Sequence, residues 1–160
     1  MSSPIVRPMK AEDRAAVIEL LANSDPWRQL GYQSKDWDSY FTPLPEGRDS
    51  YVADQNGRVA AIAVVRQKFL LGDYLELFGV AEWARSKGLG RRLLAHVEAA
   101  VFVRAKNLFV CVSDFNDQGR KFYGKQGYQE VGPMPNLLMP GSAEILLRKT
   151  SGPARRADGL

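Results

Sequence analysis

Three small residues, Ser86, Gly88 and Gly90, stand among four cations, Arg85, Lys87, Arg91 and Arg92, in the stretch ARSKGLGRRLLAHVEAA. A helical pattern follows at once. Glycines let a backbone approach a ligand closely, and a helix N-terminus offers unpaired N–H groups and the positive end of the helix dipole. With cations added, the stretch suits an anion, above all a phosphate. The P-loop spacing GxxxxGK[ST] does not occur. The dinucleotide pattern GxGxxG fails too, because Leu93 stands at the third glycine and no early βαβ unit surrounds it. What remains is Arg85-x-x-Gly88-x-Gly90, after the strand LELFGV and at the mouth of a helix.

The elements that must hold this loop are legible from period and punctuation. PIVRPM reads as a short strand. AEDRAAVIELLANS reads as a helix with Ala15, Ile18, Leu21 and Ala22 on its buried stripe; its start is loosely placed, because Met9 and Lys10 offer no capping oxygen. DPWRQLGYQSKDWDSYFTPLPEG is rich in aromatics and turn formers. It predicts a loop, a short helix from Ser34 to Phe41 and a proline-marked exit. Asn56-Gly57 marks a hairpin, and YLELFGV is the next strand. GLGRRLLAHVEAAVFVRAK is a helix burying Leu89, Leu93, Val97 and Ala100. The nearly all-apolar NLFVCV predicts a strand buried on both faces. NDQGRKFYGKQG is a helix stopped by Gly127, and YQEVG and AEILLRK are final strands joined by the proline-rich loop PMPNLLMP. The order β α α β β β α β α β β predicts an α+β fold, a mixed central sheet with helices on both faces. One domain is expected over 1–150, with a disordered tail at 151–160.

Loop and context together resemble the acetyl-CoA motif of the GNAT N-acetyltransferase superfamily, Arg/Gln-x-x-Gly-x-Gly/Ala shortly after a strand-ending valine, here Val80. NLFVCVSDFNDQGRKFYGKQGY is similar to the family's next motif, in which Asn116, Tyr123, Gly127 and Tyr128 match. The resemblance runs over residues 4–150. It implies that backbone N–H groups from Arg85 through Ser86, Lys87, Gly88, Leu89, Gly90 and Arg91 cradle the pyrophosphate of acetyl-CoA, a co-substrate. It also implies that the backbone of Phe78, Gly79 and Val80 stabilises the thioester oxygen and that Asn116 contributes to the coenzyme site. Many relatives carry Gly at Ser86 and Pro at Glu82; Ser86 keeps its N–H, and Lys87, Arg91 and Arg92 can add charge-assisted contacts.

Acetyl transfer to an amine needs a neutral amine, a stabilised oxyanion and a protonated leaving thiolate. An ammonium of pKa ~10.4 is only about one part in 2,500 neutral at pH 7, a cost of roughly 4.6 kcal/mol, so a base is useful. Glu76, on the strand YLELFGV, is either that base or a strand carboxylate paired with a cation. Glu144, opening the last strand, is a candidate lining of the amine site, and Asp114 is a third acid. Some relatives that acetylate N-terminal amines use a Glu on the fifth strand; Cys111 occupies that level and reads as a core residue. The resemblance places Tyr123 near the coenzyme sulfur as the general acid. Trp27, Trp37, Tyr40 and Phe41 supply aromatic faces that attract an ammonium, or simply cap the core. His96, mid-helix, reads as a surface or packing residue, and no spacing suits a metal.

The expected function is acetyl transfer from acetyl-CoA to a small-molecule or peptide primary amine, by direct attack in a ternary complex. The alternative is an acyl-CoA-binding regulatory module without transferase activity. A net charge of +4 could serve nucleic acid, but basic and aromatic residues do not interleave on a strand, so no nucleic-acid partner is expected. With one cysteine, no signal-like N-terminus and no long apolar run, a cytoplasmic protein without membrane contact is expected. Leu137, Leu138 and Met139 form either a homodimer contact or a substrate lid.

Overall fold

The computed structural model describes residues 3–155. Its strands are β1 (Ile5–Pro8), β2 (Arg48–Gln55), β3 (Arg58–Phe69), β4 (Gly72–Val80), β5 (Asn107–Ser113), β6 (Gln129–Pro135) and β7 (Ala143–Thr150). Its helices are α1 (Arg14–Ala22), α2 (Ser34–Phe41), α3 (Leu89–Arg104) and α4 (Asp117–Lys125), with single 3-10 turns at Ala11–Asp13 and Glu82–Ala84. The fold is α+β, a mixed and mostly antiparallel sheet flanked by helices, in the order the sequence predicts. Two compact units make it up: Met1–Val65 with Leu77–Val97, and Arg66–Glu76 with Glu98–Leu160. β3, β4 and α3 contribute residues to both.

In the first unit the strands lie in the order β1-β2-β3-β4. β1 pairs antiparallel with β2, Val6 opposite Ala53. Asn56 and Gly57 both take positive φ, 55° and 83°, as a tight two-residue hairpin between twisted strands demands. α1 starts from the 3-10 turn, where Asp13 accepts a hydrogen bond from the Lys10 N–H at 2.8 Å and so replaces the missing cap. Its buried stripe is Val17, Leu20 and Leu21, with Ile18 on the flank and Ala15 exposed. This corrects the expected stripe: the bulkier Val17 and Leu20 turn inward because they remove more apolar surface from water than Ala15 or Ala22. The core they join holds Trp37, Phe41, Val52, Ile62, Val64, Leu77 and Leu89.

In the second unit the order is β3-β4-β5-β7-β6. β4 and β5 pair in parallel, Tyr74 opposite Phe109; β7 pairs antiparallel with β5 and with β6. β5 is buried along nearly its whole length, as its composition predicts. α4 packs on the Val112 face of β5, close enough that a Cβ on Gly119 would sit 3.1 Å from Val112 Cγ1.

Two features depart from expectation. β3 and β4 are joined by Leu70 and Leu71, both at positive φ (44° and 60°) and both exposed. β6 runs on through Pro133 and Pro135, where the sequence predicts a loop; among the described residues no strand pairs with its other edge, and an edge strand tolerates proline because the missing N–H faces outward. Ser151 is tied down by its N–H to the Lys106 carbonyl (2.9 Å), and the tail beyond residue 155 lies outside the described residues.

Candidate active site

The glycine–arginine loop belongs to the first unit. Buried Ala81, Ala84 and Leu89 anchor it, while Arg85, Ser86, Lys87 and Gly88 are exposed. Ser86 and Gly88 take positive φ, 63° and 77°, and turn the chain into the first turn of α3. The Arg92 N–H reaches the Gly88 carbonyl at 3.1 Å, the first hydrogen bond of that helix. The N–H groups of Leu89, Gly90 and Arg91 therefore precede any intrahelical acceptor. The Arg85 Nε donates to the Val80 carbonyl at 3.3 Å, tying the loop to the end of β4. Ser86 occupies a left-handed position that suits glycine, which is why its place in the motif is so often glycine's.

The aromatic residues predicted for the amine pocket also gather in the first unit. Trp37 stacks on Tyr32 at 5.2 Å and meets Trp27 and Tyr40 edge-on at 5.9 and 6.2 Å. Tyr40 in turn meets Phe41 at 4.7 Å. Trp37 is buried, and its indole N–H finds no acceptor among the described residues. Phe78 and Val80 are half-buried on β4, and Gly79 between them is covered by the Trp27 ring. His96 is exposed and sits 5.1 Å from the Tyr51 ring, a packing contact.

In the second unit a polar row crosses the sheet. Register puts Tyr74 beside Phe109, Cys111 opposite Leu146 and Ser113 opposite Glu144, so Tyr74, Cys111, Ser113 and Glu144 share one face. Phe69 stacks on Tyr74 (4.9 Å) and touches Phe109 (5.4 Å), fixing the phenol. Tyr74 and the Cys111 thiol influence each other's titration, and burial is the main cause that raises both groups' pKa values. The Ser113 Oγ donates to Glu144 Oε2 at 2.6 Å. Burial holds the Glu144 carboxyl above the usual carboxylate range and the Asp114 charge adds to this, while the Ser113 hydrogen bond opposes it.

The other predicted residues of this unit are held as follows. Glu76 Oε1 accepts from the Arg66 guanidinium at 2.9 and 2.8 Å, an ion pair on the strand. Asp114 accepts from Ser142 Oγ (3.2 Å) and the Ala143 N–H (3.0 Å), bracing the loop before β7. Asn116 caps α4, its Oδ1 accepting from the Gly119 N–H at 3.0 Å. Tyr123, on α4, is buried against Phe122 and Tyr128, and burial raises its phenol pKa. Leu137 and Leu138 stay exposed. Among the described residues no His, Cys, Asp and Glu cluster suits a metal ion, and no helix is long and apolar enough to cross a membrane. Tyr74 and Ser113 were not singled out from sequence. The alternation in NLFVCVS puts Ser113 on the Cys111 face, but only strand register brings it to Glu144.

The model of the Acetyltransferase (GNAT) family matches residues 14–128, well over half of the chain. The chain belongs to this family. Proteins of the family transfer acyl groups from acyl-CoA to amines. A 5-NmdU N-acetyltransferase of Pseudomonas phage PaMx11 is 30% identical over 83 residues, which cover 51% of this chain and 58% of that protein. The match thus spans little more than half the relative's length. Among solved structures, the ribosomal-protein-S18-alanine N-acetyltransferase from Escherichia coli aligns at TM-score 0.77 and 20% identity, over 97% of this chain and 98% of that one. An aminoglycoside 6'-N-acetyltransferase complexed with coenzyme A aligns at 0.75 and 18%, over 93% and 98%. At such identities the likeness is one of fold.

Proposed function

We propose that this chain moves the acetyl group of acetyl-CoA to a primary amine by direct attack in a ternary complex. The observation that carries the reading is the loop: positive φ at Ser86 and Gly88 leads an exposed, cationic backbone into the open first turn of α3. N–H groups of Leu89, Gly90 and Arg91 suit the pyrophosphate, and Arg85, Lys87, Arg91 and Arg92 supply charge. The family's alignment with such a loop supports acetyl-CoA as the donor.

The bound ammonium gives one proton to a carboxylate, which passes it to water. The amine nitrogen then forms the C–N bond, and the thioester oxygen takes charge against the backbone N–H groups around Phe78, Gly79 and Val80. The C–S bond breaks, and the thiolate takes the Tyr123 proton. The surplus proton on nitrogen returns to the Tyr123 oxygen, leaving a neutral amide. Burial keeps the phenol protonated but makes its phenolate costly, so loss and return of its proton are closely coupled. Trp27, Trp37 and Tyr40 offer aromatic faces to the amine's carrier.

The test is release of free thiol from acetyl-CoA with a panel of amines: peptide N-termini, lysine, polyamines, aminoglycosides, free amino acids and 5-NmdU. Amine-dependent release with acetylated product is expected. Binding of acetyl-CoA with no release on any amine would favour the regulatory-module reading.

A further inference from the structure

Three carboxylates stand near the polar row, and only one is unaccounted for by a structural duty. Glu76 answers the Arg66 guanidinium, and Asp114 braces the Ser142–Ala143 turn. Glu144 is 7% exposed, yet among the described residues no cation pairs with it. Its hydrogen bond comes from a neutral hydroxyl, Ser113 Oγ, on Oε2; no described residue donates to Oε1. A buried carboxylate without a cation is costly to ionise, so an ammonium arriving beside it would stabilise its charge. Here the row beside it, Tyr74 and Cys111, keeps part of its surface in contact with solvent, which leaves this face open to an ammonium.

We infer that Glu144 takes the proton of the acceptor amine and that Ser113 is the residue that positions its carboxylate. The inference rests on the acetyltransferase reading above. It also fixes the substrate's charge: the acceptor enters as its ammonium, opposite Glu144 Oε1. One proton moves from nitrogen to that oxygen and on to water, leaving the lone pair to attack. The groups facing Glu144 are Ser113 and Cys111 on β5, Asp114 after it, Tyr74 on β4 and the uncharged Met134 on β6. Burial and Asp114 make the carboxylate a stronger base than an exposed glutamate; the Ser113 hydrogen bond restrains it.

The experiment is the pH profile of kcat/KM, taken with the panel amine that the wild type turns over fastest, for wild type, Glu144→Gln, Glu76→Gln, Ser113→Ala and Ser113→Thr. In the wild type, activity is lost as pH falls through the Glu144 pKa. Glu144→Gln should lower kcat/KM near neutrality by about 10²-fold or more. Its remaining rate should climb in proportion to hydroxide up to the amine's own pKa, with the break at the Glu144 pKa gone. Ser113→Ala removes the bond that holds the carboxyl down, so its acid limb should move to higher pH, and Ser113→Thr should restore it. A merely structural role for Ser113 would leave the limb in place. The KM for acetyl-CoA should change little in all of them. The assignment is overturned if Glu144→Gln keeps the wild-type profile, or if Glu76→Gln abolishes the limb instead. Should Glu144→Gln not fold, an unmoved limb in Ser113→Ala overturns it alone. A wild type that binds acetyl-CoA and acetylates no amine overturns the acetyltransferase reading, and this assignment with it.

Discussion

The indole of Trp27 lies against the backbone of Gly79: a Cβ at Gly79 would meet Trp27 Cη2 at 2.9 Å and Leu21 Cδ2 at 3.3 Å. The glycine is thus required by packing in the strand end that the oxyanion would face. Gly79→Ala should destabilise the protein by about 1–3 kcal/mol, the usual cost of overpacking. A thermal melt checks this, and Trp27→Leu in the Gly79→Ala background should recover part of the loss.

The Arg7–Asp13 pair should set the response of the first unit to acid. Arg7 Nη1 and Nη2 donate to Asp13 at 2.8 and 2.9 Å, and Asp13 is buried. The Arg7 hydrogen bonds, resisted by burial, hold the Asp13 carboxyl below its ordinary value. A lowered folded pKa adds stability that is complete above the unfolded value of ~3.9 and is lost as pH falls through the folded one. Asp13→Asn should therefore cost roughly 2 kcal/mol at pH 7 and flatten the acid side of the stability profile. Urea melts from pH 7 to 2 measure both.

What the sequence could and could not reveal follows from which signals are local. Asn56-Gly57 announces its hairpin because those residues favour positive φ. Leu70-Leu71 adopts the same geometry with side chains that carry no turn signature, so that hairpin was invisible. The prolines of β6 masked a strand, since proline is excluded from central strands but allowed at an edge. The glycine–arginine loop was legible because glycine, cation and helix start are contiguous. The Ser113–Glu144 contact was not, because register across β5 and β7 depends on the intervening α4, β6 and loop.

The cap of α4 should matter both to stability and to Tyr123, which that helix carries. Asn116→Ala removes the acceptor for the Gly119 N–H and should cost about 1 kcal/mol. Asn116→Asp keeps an acceptor and should restore the melting temperature. If the Asn116 amide also donates to the coenzyme, Asn116→Asp will still bind acetyl-CoA more weakly, which titration calorimetry reads separately from the melt.

Tyr123→Phe tests the general acid. It removes one oxygen from a ring packed between Phe122 and Tyr128, so stability should change little. The chemical step should slow by about 10²-fold or more, with a much smaller change in the KM for acetyl-CoA, because the proton is needed in the transition state. Nearly full kcat under conditions where chemistry limits turnover would assign the proton to water.

Coenzyme recognition by the loop of Arg85, Gly88 and Gly90 is the claim on which the rest depends, and calorimetric titration with acetyl-CoA reads it directly. The wild type should bind below millimolar concentration, Arg91→Ala more weakly, and Gly90→Asp not at all, since a carboxylate at the second residue of α3 opposes a pyrophosphate by charge and bulk. Melting curves should show all three folded. A wild type with no measurable heat at millimolar acetyl-CoA, or a Gly90→Asp variant that binds as tightly as the wild type, would contradict the account.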